Sequence, residues 1–348
     1  MPTMVSSFSA SPIPPSWWRN PGQRGSYKPS FSSRRLQVGS SLAALSILCA
    51  GPGCRVAKAE SEGYPAWDEI VASNDFEEIG RKIFHNECSS RDDKLVWWNE
   101  VEEFASLGLA HFIWFPRTPT KGQRPPFGES FPALLEFLES PEGGGHVLPH
   151  WLTHDRHCPW GSREELMTSI REGDLRVADL RELLKASKAG QVKFIARRLQ
   201  KALPDMLAVA RKEAEERGEE GDAAAAAVEA RFYEVATSKG GLYPLIDLVN
   251  FKGEGVDASE RYDGVGWGLL QALEGMGPGE GGGAGGPRGV PVRSRFASAA
   301  FRNLQKRTAT PRGVERGEAR WLKGWENHCE TWCLDDADYI EGRCTRQV

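Results

Sequence analysis

Residues 83–115 read IFHNECSSRDDKLVWWNEVEEFASLGLAHFIWF. Within this stretch Glu87 follows helical character, Glu100 comes thirteen residues later, and Ser106 and His111 follow around an apolar segment. Two carboxyl groups with a hydroxyl and an imidazole suit hydrolysis of a sugar bond. One acid, kept protonated by apolar surroundings, protonates the leaving oxygen; the other stays ionised and serves a water or the sugar. Glu87, with Ile83, Phe84, Trp97 and Trp98 nearby in sequence, suits the first role. Glu100, Glu102 or Glu103 in a polar turn suits the second. Each residue also has a plainer reading. Glu87 could simply close a turn, Glu100 is one of several neighbouring acids, and His111 on an apolar strand could be a satisfied core histidine.

The elements that must position these groups are legible as patterns. Ile70, Val71, Phe76, Ile79, Ile83 and Phe84 recur at helical spacing, and Asn74 with Glu77 reads as a second helix start, so a helix is predicted over 75–87. Aromatic and β-branched residues over 95–115 predict a small β-hairpin. Helices are expected over 130–139, 162–187 and 191–218, with a kink at Pro204, and an alanine-rich, solvated extension over 218–238. The runs 240–255 and 264–276 each pair a helix with a glycine-rich end, and 277–291 reads as a flexible loop. Two helices over 294–308 and 315–332 close the chain before a tail, 334–348. The expected fold class is α+β with a helical majority, as one domain over 60–333.

The pattern of a helix ending in Glu, then a hairpin carrying Ser-x-Gly-x-Ala-His, resembles phage-type muramidases of the lysozyme-like superfamily. The resemblance covers about 30 residues, 87–111 and their flanks. It implies a lysozyme-like core with Glu87 as general acid, Glu100 and Ser106 positioning the attacking water, and His111 bracing the hairpin or lining the site. The chain departs from that pattern at Glu100, where the family has Asp, at Ala110, where it has Gly, and in a longer spacer after Glu87. Residues 318–332 resemble the closing helix of such domains. The ASLG-x-x-HF-x-W and NFKGEG runs are similar to bacterial exported proteins of unassigned function. The implied substrate is a peptidoglycan- or chitosan-type polysaccharide, and no cofactor is expected.

Further candidates lie elsewhere. Asn250, Lys252, Glu254, Glu260, Arg261 and Asp263 read as a charged loop between two apolar helices, a setting that often lines sites. Glu254 is an alternative carboxylate, and with Asn250 a ligand for sugar hydroxyls; Gln271 could reach the same cleft, and Trp98 could stack on a sugar face. His146, His150, His154, His157 and Cys158 crowd a loop that would be the place for a metal, although Pro149 and Pro159 break the helix that would align them. A non-catalytic binding protein that retains the fold, with metal held by this His146–Cys158 loop, is the alternative to an enzyme. No P-loop, dinucleotide or nucleophile-elbow signature occurs.

Charge divides the chain. Residues 1–59 carry seven basic residues and no acid, so the rest of this −4 chain stands at −11, which argues against nucleic acid as the main partner. The leader is rich in Ser, Pro and Arg. It contains Arg34-Arg35, an apolar run over 42–50 too short to span a bilayer, and a small-residue site that predicts cleavage after Ala59. Its order resembles the bipartite leaders of thylakoid-lumen proteins, implying a plastid or thylakoid-lumen location, with a bacterial periplasmic or secreted protein as the alternative. No membrane span is expected after leader removal. Five cysteines would remain, an odd number that cannot all pair within one chain.

Overall fold

In a computed structural model, residues 63–100, 102–118, 128–277 and 290–333 are described. The predicted leader, most of the glycine-rich segment and the tail lie outside them.

Two helices open the body, α1 (Trp67–Ala72) and α2 (Phe76–Cys88). Asp75, one residue after the predicted cap, caps α2 by accepting hydrogen bonds from the amides of Glu77 and Glu78 at 3.0 and 3.1 Å. Phe76, Ile79, Ile83 and Phe84 form its buried stripe. The helix stops because Ser89 and Ser90 turn left-handed, with φ of 52° and 56°. A 3₁₀ turn over Asp92–Leu95 leads into the sheet.

The predicted hairpin is a three-stranded antiparallel meander, β1 (Val96–Trp97), β2 (Ala105–Leu107) and β3 (Phe112–Trp114). Trp97 pairs with Ser106, and Ser106 with Ile113, so Ser106 sits on the central strand. The residues of β2 and β3 are all buried, which explains an almost unbroken apolar run rather than alternation.

Helices make up most of the rest: α3 (Phe131–Glu139), α4 (His150–His154), α5 (Arg163–Glu172), α6 (Leu175–Ala186), α7 (Lys188–Glu216) and α8 (Gly221–Thr237). They are followed by α9 (Leu242–Lys252), α10 (Leu269–Glu274), α11 (Val292–Thr308), α12 (Pro311–Glu315) and α13 (Leu322–Glu330). The single helix expected over 162–187 is two, because Gly173 adopts φ 74° and Asp174 caps the next helix on the amide of Arg176. Pro204 lies inside an unbroken α7, where the buried stripe Ile195, Leu199, Leu203 and Met206 continues across it. The alanine-rich α8 is not a solvated extension. Ala225, Val228, Phe232, Val235 and Ala236 are buried, and the helix packs along α7. Small side chains allow that close approach.

In α9, Leu242 to Asn250 and Lys252 are all buried. Asn250 and Lys252 therefore belong to a core helix rather than to the charged loop expected there. One hydrophobic core joins the sheet, α2, α7, α9 and the closing helices. The coarse class stands as α+β, mostly helical with one small antiparallel sheet. Among the described residues, no helix is long and apolar enough to cross a membrane.

Candidate functional site

Glu87 leaves the last turn of α2 with its side chain 14% exposed, between the sheet and α9. Asn250 Nδ2 donates to Glu87 Oε1 at 3.2 Å, and His111 Nδ1 stands 3.7 Å from Oε2. The β2–β3 turn aims that imidazole. Gly108 is left-handed at φ 72°, His111 itself at 54°, and the buried Gln191 of α7 accepts from the amide of Leu109 at 2.9 Å. Gln191 also donates to Leu184 O and Ser187 Oγ, so α7 fixes the turn that carries His111. A side chain at 108 would meet Gln191 Oε1 at 2.3 Å, so glycine is required there twice over.

The second acid of this group is Glu102, not Glu100. Ser106 Oγ donates to Glu102 Oε2 at 3.0 Å. Burial pushes the Glu102 carboxyl above its usual range, opposed by the charge of His111 and by hydrogen bonds from Ser106 and Asn99. Glu100 is 82% exposed and pairs with Arg163 at 3.3 Å. The turn is held in this register by Trp98, whose indole donates to Glu102 O at 2.9 Å, while Arg163 Nε donates to Trp98 O. Trp98 is thus a buried brace and not an open stacking face.

Behind Glu87 lies a network that the sequence reading missed. Asp247 is fully buried, and its Oδ2 takes His328 Nε2 at 2.6 Å, Trp332 Nε1 at 2.6 Å and Asn86 Nδ2 at 3.3 Å. Asn86 also donates to Tyr243 Oη and Thr331 Oγ1, and the His328 ring stacks on Phe251 at 4.2 Å. Burial pulls the His328 imidazole down, but the Asp247 carboxylate outweighs it and holds the pair's proton on His328 above the ordinary histidine range. Glu87, Asp247 and His328 each offer a ligand atom within 4.8 Å of the others, a spacing a cation could use. However, Asp247 Oδ2 already accepts three bonds and His328 Nε2 is committed to it. The group therefore reads as a proton-bearing charge network. Asp247 Oδ1 and Asn250 Oδ1 have no hydrogen-bond partner among the described residues. The clue was available in LYPLIDLVNFK: an Asp and an Asn three apart on a helix otherwise apolar need partners from elsewhere.

Lys252 ends the same helix. Its Nζ lies 4.0–4.1 Å from the ring centres of Phe251, Trp267 and Trp325, buried and without a hydrogen-bond acceptor among the described residues. Burial and the neighbouring Arg307 push it down to about 7. Arg307 lies over Tyr262 and Trp267, 3.5 Å from each ring centre, with Glu318 as counter-charge.

The other expected site residues lie apart from this cluster. Gln271 donates to Gly255 O and accepts from the Gly268 amide, clamping the loop before α10. Glu254 is pushed up to about 7 by burial, against the pull of Arg198 on α7. In the histidine loop His150 and His154 meet at 3.3 Å, whereas His157 turns to Asp155 and the buried Cys158 thiol, raised to about 12 by burial, donates to Trp160 O. Among the described residues, that loop brings no three such donors within reach of one ion.

A cavity of about 490 Å³ opens beside the end of α2, lined by Lys82, Phe84, His85, Asn86, Tyr243 and Thr331. Its Asn86 wall is the residue before Glu87, and its Tyr243 wall shares one face of α9 with Asp247 and Asn250. Comparison of the chain with family models, curated proteins and solved structures finds no match.

Proposed function

We propose that this chain is an exported glycoside hydrolase acting on a peptidoglycan- or chitosan-type polysaccharide. The observation that carries the reading is the convergence of Glu87, His111, Glu102 and Ser106 from one helix end and one small sheet. Glu87 acts as general acid. Its carboxyl is mostly screened from solvent, and Asn250 orients it so that the second oxygen faces the hairpin. It delivers a proton to the glycosidic oxygen as the bond to the anomeric carbon breaks. Glu102 takes a proton from the attacking water, which Ser106 helps to hold. A carboxyl raised by burial is a stronger base than a solvated one, which suits that task. His111, 3.7 Å from Glu87, also acts electrostatically on Glu102. The acid-free, Ser- and Arg-rich leader over residues 1–59 supports export to a plastid or thylakoid lumen, with a bacterial periplasmic or secreted protein as the alternative.

The reading is tested by incubating the mature protein with labelled peptidoglycan and with chitosan, and following reducing ends and the anomer first formed. Release of new reducing ends is expected, and the anomer first formed reports whether the second acid serves a water, giving inversion, or bonds to the sugar, giving retention. No release from either polymer, with the polysaccharide still bound, would favour a binding protein instead.

A further inference from the structure

Two imidazoles of the histidine loop converge where the sequence pattern sets prolines against it. Pro149 does not break a helix there. With φ −53° it opens α4, and Pro159 lies beyond the helix end, so one turn carries His150 and His154 on the same face. Their Nε2 atoms stand 3.3 Å apart, and the ring planes meet at 69°. Two nitrogen ligands on a tetrahedral divalent ion, each about 2.0–2.1 Å from it, lie about 3.4 Å from one another. The pair therefore already has the spacing of a chelate. Histidines four apart on a helix supply two zinc ligands for the same reason: the helical repeat puts both rings on one side.

The turn that holds them is anchored by its other residues. Leu152 is fully buried, and the Trp151 indole donates to Asp179 Oδ2 at 3.1 Å while its ring packs 6.5 Å from that of Trp114. Thr153 Oγ1 donates to His150 O at 2.7 Å. Both histidines are exposed, so an ion reaches them without opening the core. His150 also borders a cavity of about 500 Å³ whose walls include His146, Asp179 and Glu182. Asp179 and, partly offset by Lys185, Glu182 give that wall a negative potential that draws cations toward the pair.

We propose that His150 and His154 form a two-imidazole site for a divalent transition-metal ion of the zinc and copper type, with water completing its coordination. Imidazole selects such ions over magnesium and calcium, which take oxygen ligands. Between the two neutral rings alone, one donates its Nε2 proton to the other. On binding, that proton is carried on Nδ1 of its own ring instead, so both Nε2 lone pairs face the ion and no proton leaves the protein. The site uses no residue of the hydrolytic scheme and does not depend on it.

The test titrates the full-length chain with Zn²⁺ by calorimetry after chelator treatment, and follows the histidine ring nitrogens by nitrogen NMR. His150→Ala and His154→Ala are each compared with His157→Ala, which removes a loop histidine that turns to Asp155 instead. Chelation by two linked donors exceeds binding by one alone by about 10²-fold or more, so each of the first two variants should weaken one zinc equivalent by at least about tenfold. His157→Ala should leave that equivalent unchanged. Zinc should also shift the Nε2 signals of His150 and His154 together, with both rings protonated at Nδ1. All three positions are exposed, and the urea midpoint confirms that the variants fold. Zinc affinity unchanged in His150→Ala and His154→Ala would overturn the proposal. So would a zinc-bound Nε2 on only one of the two rings, or an equal loss in His157→Ala, which would mark diffuse binding to surface histidines.

Discussion

The buried pair Asp247–His328 gives a prediction that can be worked to a magnitude. Replacing His328 by leucine removes the imidazolium and leaves a carboxylate with no solvent exposure, held only by Trp332 and Asn86. Deleting one partner of a buried ion pair costs about 3–5 kcal/mol, and the two surviving donors place this case near the lower end, at about 3 kcal/mol. With a urea dependence of about 3 kcal/mol per molar, the unfolding midpoint should drop by about 1 M. Neutralising the orphan by adding Asp247→Asn should recover a good part of that loss, since asparagine still accepts from the indole and the Asn86 amide. The pH dependence follows from the raised His328 value. Its contribution is complete below the unfolded histidine value of 6.5 and is lost as pH rises through the higher folded value. The stability gap between wild type and the His328→Leu/Asp247→Asn double variant, which has no orphaned carboxyl to take up a proton, is therefore widest in mild acid and narrows with rising pH. Urea titrations at several pH values read both effects. A midpoint change under a third of that expected, or a gap that widens with pH, would refute the charged-pair assignment.

Other perturbations separate the elements of the site. Glu102→Gln should lower turnover by about 10²–10⁴-fold, the worth of a general base, whereas the solvent-facing Glu100→Gln should stay within about twofold in the same assay of reducing-end release. Gly108→Ala forces a side chain into a left-handed residue against Gln191 Oε1, so it should destabilise by at least about 1 kcal/mol in denaturant titration, and should also lower activity by misaiming His111.

How much of this was legible beforehand depends on the range of the interactions. The α2 stripe, its termination near Glu87 and the apolar hairpin are local patterns, and they stand in the structure almost where periodicity puts them. The choice between Glu100 and Glu102 is not local. It depends on Arg163, 63 residues away, drawing Glu100 outward and tying down Trp98 O. Spacing borrowed from the muramidase pattern therefore pointed to the wrong glutamate for the Ser106 contact. Asp247 and His328 are 81 residues apart, and nothing near either one announces the other. Lys252 reads as a loop residue because Gly-Glu-Gly follows it, yet α9 runs through it and tertiary packing buries it. The α8 misreading has the same origin: alanines look solvated until a neighbouring helix is known to cover them.

The central claim is that Glu87 delivers the proton. The most direct measurement is turnover of labelled peptidoglycan by Glu87→Gln beside wild type, with folding checked by the urea midpoint. An amide keeps the shape and one oxygen acceptor but carries no transferable acid proton, so a loss of at least about 10²-fold at an unchanged midpoint is predicted. A correctly folded Glu87→Gln that turns over at the wild-type rate would contradict the account.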